Sequence, residues 1–545
     1  MLKTPTGLID YAEMKENDYY VVDKTMLIND FLDDGKKVTL ITRPRRFGKT
    51  INMSMMAEFF DITKDSKNLF EGTKIMKTPY AKEMNQWPTI FISFANAKDS
   101  VNIITSFVRD SLRQEYKKYR NVLSQIDSLD KDEYQTILKN LKSTDSNLES
   151  LSTALSFLMN RLYEHYGKKI MIFIDEYDTP FIEAKVGGFY QEVKMGLSTL
   201  LRSSLKNTYS LASAMLTGIQ RVAKENVFSE LNNLIVCDVT DNRYSNYFGF
   251  TEDETKNILE YYGLELNDKV KAMYDGYRIG NTEIYNPWSI LYYIDTQELT
   301  SHWVNTSSNK MIQDAMRNAD KNFNDSYEKL ISNGYLETTV NLQTSFYETS
   351  NTESLWGLFV NAGYLTVIKK INNKRYRIKI PNNEVREEFE SLTSFYLNIE
   401  ESVLDNLRQS LLDMDKNLFI ETYQDILLRP SYHDLERENR YHMFLLGMCM
   451  YLENQYEVLS NHENGKGRYD ITLKSKKEPL PSYIIEFKYL KKNQIKDDEL
   501  ENLANNAIQQ IKDNKYDYEL TGKIIYIGLA HHGKDVSIKW EEKGQ

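Results

Sequence analysis

The sequence predicts an α/β protein in which two α/β regions flank a mainly helical stretch. Three observations carry this expectation: short β-branched runs alternate with helical periodicity from about residue 20 to 265, the pattern turns largely helical between 266 and 400, and strand-like runs return toward the C-terminus. Continuous apolar strands separated by helices are what a parallel sheet covered on both faces requires. The expected domains are residues 1–265, 266–400 and 401–545, in keeping with roughly 100 to 200 residues per domain for a 545-residue chain.

Composition narrows the functional classes. Hydrophobic residues make up 41% and charged residues 27%, enough apolar surface for several cores and too much for a disordered chain. The net charge of −11 excludes a polycation, so any nucleic-acid contact must be local. Cys237 and Cys449 stand far apart in apolar surroundings, which excludes a disulfide framework or a cysteine zinc site. Met1 to Pro5 leads directly into charged, tyrosine-rich sequence, and no stretch approaches the roughly 18 apolar residues of a membrane helix. A cytoplasmic protein without a membrane partner is expected.

In the first region, Lys37–Thr42, Pro88–Phe94, Ile170–Ile174 and Leu211–Leu216 read as buried strands. The first runs into Arg43-Pro44-Arg45-Arg46-Phe47-Gly48-Lys49-Thr50 and then a helix from Ile51 to Phe60. Strand, tight loop and helix are the context of a phosphate-binding loop. Backbone N–H groups from Arg46 to Thr50 at the helix start can cradle phosphate oxygens, Lys49 can neutralise β- and γ-phosphate charge, and Thr50 can hold Mg²⁺. One departure stands out: the GxxxxGK(S/T) pattern places glycine where this chain has Arg43, so an ordinary helix start with a solvated lysine is the competing reading.

The strand Ile170–Ile174 ends in Asp175 and Glu176, two carboxylates at a strand tip where open α/β sheets bind ligands. Asp175 is expected to hold Mg²⁺ and Glu176 to polarise the water that attacks the γ-phosphate; the competing reading is a strand meeting an acidic turn. After Leu211–Leu216 come Thr217, Gly218, Ile219, Gln220 and Arg221. A polar residue there can sense the γ-phosphate, and Arg221 can stabilise transition-state charge in cis or from a neighbouring subunit, or it is a surface arginine after a strand.

Several runs together resemble the predicted AAA-ATPase-like family. They are Tyr19 to Lys24, Arg43 to Thr50, Phe173 to Asp178, Phe228 to Leu234, Tyr274 to Tyr277 and Tyr285 to Trp288, and the resemblance spans nearly the whole chain. It implies ATP as cofactor, presents Arg43 as a family habit, and implies a C-terminal PD-(D/E)XK nuclease domain.

In the middle region, Leu355–Ala362 is helix-like, Tyr364–Lys370 and Arg375–Ile380 are strand-like around an Asn372-Asn373 turn, and Asn383 opens another amphipathic run. This order resembles a winged-helix unit, with DNA contact or plain packing between domains as the two readings. Helices with short polar breaks follow from Asn398 to Glu438.

The C-terminal region holds Gly467–Leu473 and Tyr483–Lys488, two strand-like runs joined by a polar, proline-containing turn. Alternation puts Glu486 and Lys488 on one side, and a hairpin would bring Asp470 beside Glu486. Two carboxylates so placed make an oxygen-rich Mg²⁺ or Mn²⁺ site, and Lys488 can orient the water that attacks phosphorus. Glu438 adds a further carboxylate, and Gln510, on a helix around Ala507–Tyr516, can bond the scissile phosphate or a metal water. This helix, strand, strand, helix order resembles the PD-(D/E)XK nuclease superfamily, a restriction-endonuclease-like α/β fold. A hairpin with a surface Glu-x-Lys pair is the bland alternative.

Lys466, Arg468, Lys491, Lys492 and Lys496 form a basic rim or a solvated charge run. The seven histidines show no zinc spacing, and His531-His532 are expected in a loop after a strand Lys523–Leu529. Tyr285, Trp288, Tyr292 and Tyr293 read as packing, with base stacking as the alternative. The leading expectation is an ATP-binding and ATP-hydrolysing protein coupled to a Mg²⁺-dependent phosphodiesterase, with DNA the favoured substrate and a homo-oligomer possible. The alternatives are a nucleotide switch whose C-terminal domain binds nucleic acid or protein without cutting, and a silent scaffold.

Overall fold

A computed structural model describes the chain except residues 127–129, 207, 222–232, 304–311, 314–315, 317–320, 344–350, 398–399, 429–444, 446–448, 450–451, 453–454, 461–462, 465–466, 469, 491–496 and 545. The chain divides into two compact units, one of residues 1–312 and 339–385, the other of residues 313–338 and 386–545. Among the described residues, no helix is long and apolar enough to cross a membrane.

The first unit is built on a parallel sheet of β1 (Val38–Thr42), β2 (Thr89–Ser93), β3 (Ile170–Asp175), β4 (Leu211–Gly218) and β5 (Leu234–Cys237), in the spatial order β2-β3-β4-β1-β5. Side-chain alternation divides each strand between two cores. Ile170, Ile172 and Ile174 join the cluster containing Val38, Leu40 and Leu216, whereas Met171 and Phe173 join the opposite one with Ile41 and Met215. Both faces are thus buried by helices, the physical reason these strands read as unbroken apolar runs. β4 lies between β1 and β3, against the chain order. The tips of β1, β4 and β3 therefore line up, and the loop after β1 faces the carboxylates of β3 across β4.

Beyond this sheet, β6 (Tyr277–Ile279) and β7 (Thr282–Ile284) form an antiparallel hairpin within a stretch expected to be helical. β8 spans Tyr335–Thr339. The helix Thr352–Ala362 precedes the antiparallel pair β9 (Thr366–Lys370) and β10 (Arg375–Lys379), and a helix runs from Asn383 to Leu397, the order read from the sequence.

In the second unit, β11 (Tyr456–Ser460) precedes a two-stranded ribbon of β12 (Glu463–Asn464) and β13 (Gly467–Arg468). A five-stranded mixed sheet orders β11 with β14 (Ile471–Ser475), β15 (Ser482–Tyr489), β16 (Ile524–His532) and β17 (Asp535–Glu542). β14 and β15 are antiparallel, and β15 and β16 are parallel. The crossover between the last two is the helix Asp497–Asp513, which packs on both. His531 and His532 lie in β16 rather than in a loop, because the strand continues to a two-residue turn begun by Gly533 at φ 57°. His531 is buried with its Nε2 2.9 Å from the Tyr423 hydroxyl, and burial depresses its pKa to about 3.

Candidate functional site

Gly48 caps the helix Lys49–Phe60 at φ 75°, so the loop Arg43–Gly48 curls over the C-terminal tip of β1. Arg46 also sits at positive φ, 68°, a strained conformation for a residue with a side chain. Lys49 is buried, and its Nζ donates to the carbonyls of Pro44 (2.9 Å) and Arg43 (3.2 Å), with Glu176 Oε1 at 3.7 Å. The loop is thereby closed on its own lysine.

Thr50 Oγ1 donates to Asp175 Oδ2 at 2.8 Å, so the two expected Mg²⁺-holding residues are in direct contact. The structure adds two partners that sequence reading missed. Thr217 Oγ1 donates to Asp175 Oδ1 at 2.7 Å and Ser93 Oγ donates to Oδ2 at 3.2 Å. Burial, reinforced by Glu176, raises the Asp175 pKa. For Glu176 burial acts the same way, but Lys49, the Thr179 hydroxyl, Arg45 and Lys98 outweigh it and the pKa is lowered. One carboxylate of the pair is held anionic beside the lysine.

Gly48, Lys49, Thr50 and Glu176 line a cavity of about 400 Å³ whose cationic side also includes Arg45, Arg46 and Lys98, with Asp175 buried behind Thr50. Ile9, Tyr20, Val22, Phe250, Ile258 and Leu291 supply an apolar side. The sequence signal for this second wall was present in the Tyr19–Lys24 and Tyr285–Trp288 runs, whose place at the site only folding reveals. The Arg46 guanidinium lies 4.1 Å over the Trp288 ring, and its Nη1 donates to the His302 carbonyl at 2.9 Å.

Two expected site residues point elsewhere. The Phe47 ring is fully buried edge-on to Tyr277 and does not line the cavity. Arg221 Nη1 donates to Gln343 Oε1 at 3.4 Å. Arg43, in the place of the usual first glycine, is wholly buried and donates to the carbonyls of Thr42 (2.8 Å), Cys237 (2.9 Å) and Arg243 (3.4 Å). It braces the loop against the end of β5.

Behind the carboxylates, Asp178 is buried and accepts from the amides of Ile219 (2.9 Å) and Gln220 (3.0 Å). Burial, with Glu176 adding, pushes its pKa up to about 7. Tyr177 donates to the Gln220 carbonyl at 2.6 Å, so the end of β4 is tied to the tip of β3 from both sides.

The second site lies on the sheet of the C-terminal unit. Ile471 pairs with Ile485, placing Asp470 one residue beyond the last pair and opposite Glu486. The Phe487 amide donates to Asp470 Oδ2 at 2.7 Å, fixing that carboxylate at the strand end. Glu486, Lys488 and Gln510 close a triangle. Lys488 Nζ lies 3.0 Å from Glu486 Oε1 and 2.6 Å from Gln510 Oε1, and Gln510 Nε2 donates back to Glu486 Oε1. Tyr516, not foreseen, steadies the amide with its hydroxyl 3.2 Å from Gln510 Nε2.

Glu486 Oε2 is buried and makes no hydrogen bond. Burial, with Asp470 as the next contribution, raises the Glu486 pKa to about 7 despite Lys488. An orphaned carboxylate oxygen, a second carboxylate beside it and a pKa raised by burial and then by that neighbour are the features of a donor set suited to a hard cation. Asp470 and Glu486 fit Mg²⁺ or Mn²⁺ on this ground. Glu438 lies outside the described residues, as do Lys466, Lys491, Lys492 and Lys496.

Comparison with known proteins bears out both resemblances. Residues 5–228 match the family model of a predicted AAA-ATPase, and residues 436–541 match that of the PD-(D/E)XK nuclease superfamily. An uncharacterized protein of the vnfD 5′ region of Azotobacter chroococcum mcd 1 is 26% identical over 569 residues, covering 98% of this chain and 97% of its own length. A signal transduction ATPase with numerous domains and a tetratricopeptide repeat sensor from Pyrococcus horikoshii aligns at 11% identity and a TM-score of 0.23. That alignment covers 80% of this chain and 58% of the other.

Proposed function

We propose that the first unit binds and hydrolyses ATP with Mg²⁺ and that the C-terminal unit is a metal-dependent DNA phosphodiesterase. The observation that carries the nuclease reading is the triangle of Glu486, Lys488 and Gln510 beside Asp470, with a buried carboxylate oxygen left unbonded. Two carboxylates, a lysine and an amide on adjoining strands and a helix supply what phosphodiester hydrolysis needs: cation ligands, a positive charge near the attacked phosphorus, and a donor to phosphate oxygen. When bound, the divalent cation supplies Lewis-acid polarisation. Lys488, held by Glu486 and Gln510, orients the attacking water and offsets the charge that develops on phosphate oxygens.

At the first site, Lys49 exchanges its two carbonyl partners for phosphate oxygens, and Thr50 and Asp175 hold the cation. Glu176, kept anionic, orients the attacking water. Arg45 and Lys98 add positive charge to the same cavity. The ATPase gates or assembles the nuclease rather than cutting.

Two variants of the full chain test the reading. Labelled ATP binds the wild type, and Lys49→Ala loses at least ten-fold in affinity, about 1.4 kcal/mol or more. Plasmid and single-stranded DNA are cleaved with Mg²⁺ or Mn²⁺, and Asp470→Ala abolishes cleavage. ATP binding without cleavage under either cation leaves a nucleotide switch; the absence of both in folded protein leaves a scaffold.

A further inference from the structure

Glu176 sits at φ 53°, in the left-handed region that a residue with a side chain occupies only when its surroundings hold it there. They hold it from both sides. Before it, Asp175 Oδ1 accepts from the Thr217 hydroxyl at 2.7 Å. After it, the Tyr177 amide donates to the Thr217 carbonyl at 3.0 Å, and the Tyr177 hydroxyl donates to the Gln220 carbonyl at 2.6 Å. The turn that follows β3 is stapled along the end of β4, and the kink falls on the residue between the staples.

Asp178 adds to this lock by leaving its own helix uncapped. It stands at the N-cap of the helix Thr179–Val186, where an aspartate ordinarily accepts from the first amides of that helix. Its side chain makes no such bond, and its Oδ2 accepts from the amides of Ile219 and Gln220 instead. Gly218 lets the two segments close, since a Cβ there would stand 2.6 Å from Asp178 Oδ1. A turn that forgoes a cap and keeps a strained glutamate is built to place that side chain.

Thr179 fixes where the side chain points. Its buried Oγ1 donates to Glu176 Oε2 at 2.8 Å, and its amide donates to the Glu176 carbonyl at 3.1 Å. Glu176 Oε1 is left toward Lys49 Nζ, 3.7 Å away, and both residues line the cavity. With the hydroxyl removed, the nearest charge left to orient the carboxylate is Lys49, the same group that nucleotide phosphates engage.

We propose that Thr179 is a positioning residue for ATP hydrolysis: its hydroxyl, on a turn locked by Asp178, aims Glu176 at the water that attacks the γ-phosphate. The assignment rests on the reading of this site as an ATPase. It adds that the orientation of the glutamate, and not its charge alone, limits turnover, so the loss falls on kcat rather than on nucleotide affinity.

Full-length variants are compared in ATP affinity, by labelled-nucleotide binding, and in kcat, by phosphate release with Mg²⁺. Thr179→Val, which keeps the shape and removes the donor, lowers kcat about ten-fold or more and changes ATP affinity by less than about two-fold. Thr179→Ser, which keeps the hydroxyl, restores kcat. Thr179→Ala gives the same split and answers the question where valine prevents folding. On a Glu176→Gln background, Thr179→Val lowers kcat no further, because the hydroxyl acts through the carboxylate. A kcat in Thr179→Val and Thr179→Ala equal to that of the wild type, or an undiminished further loss on the Glu176→Gln background, overturns the assignment and leaves the ATPase reading in place. A folded wild type that releases no phosphate from ATP overturns both.

Discussion

Glu486 sets a measurable pH signature for cation binding. Its carboxyl, buried and facing Asp470, has a pKa raised from 4.5 to about 7. A cation must meet the carboxylate, so binding below that pKa expels a proton. At pH 6 about 0.9 of a proton leaves Glu486 per cation bound, and at pH 8 about 0.1. Affinity falls about ten-fold for each pH unit below 7. The sign for stability is fixed by the same shift: the folded pKa lies above the unfolded one, so Glu486's contribution is fully present below about 4.5 and is lost as pH rises through about 7. Cation binding restores it in the alkaline range. Calorimetric titration with Mn²⁺ in buffers of different ionisation enthalpy reads the proton count, and subtracting Glu486→Gln removes protons released at Asp175 or elsewhere. A difference that stays flat between pH 6 and pH 8 refutes the reasoning.

Three further outcomes are expected. Arg43→Gly, which restores the glycine of the usual phosphate loop, strands the carbonyls of Thr42, Cys237 and Arg243 and leaves a cavity; it lowers stability by about 3 kcal/mol or more in urea denaturation, and an unchanged midpoint contradicts the bracing role. Gly218→Ala places a Cβ 2.6 Å from Asp178 Oδ1 and 2.8 Å from the Tyr177 ring. That overpacking costs about 1–3 kcal/mol and reduces ATP turnover by displacing the loop that Asp178 anchors, both read on one purified variant. ATP entering the cavity disturbs the Arg46–Trp288 stack, so tryptophan emission changes on nucleotide addition and Trp288→Phe abolishes the change.

Much of this architecture is legible in the residues alone, for a specific reason. A strand buried on both faces must be apolar at every position, so Ile170–Ile174 declares itself, as does the turn into Asp175 and Glu176. Alternation in β15 likewise announces that Glu486 and Lys488 share a face. Shorter elements stay hidden. Leu234–Cys237 is only four residues long and mostly half-buried, and the β6–β7 hairpin has three residues in each strand, too few for a period to register. The histidine pair was misread because a two-residue turn at Gly533 leaves little loop to detect.

The order of apolar runs and the chemistry at their ends belong to the chain itself. Lys49 and Thr50 follow one strand, Asp175 and Glu176 another, and Glu486 and Lys488 alternate with core residues. Which distant side chains meet is a tertiary decision. Insertion of β4 between β1 and β3 brings Thr217 to Asp175 across 42 residues, and the β2–β3 pairing brings Ser93 to it across 82. Periodicity records which face a residue occupies, whereas strand neighbours are chosen by the packing of whole faces. That packing also turns Arg43 inward as a brace against the end of β5.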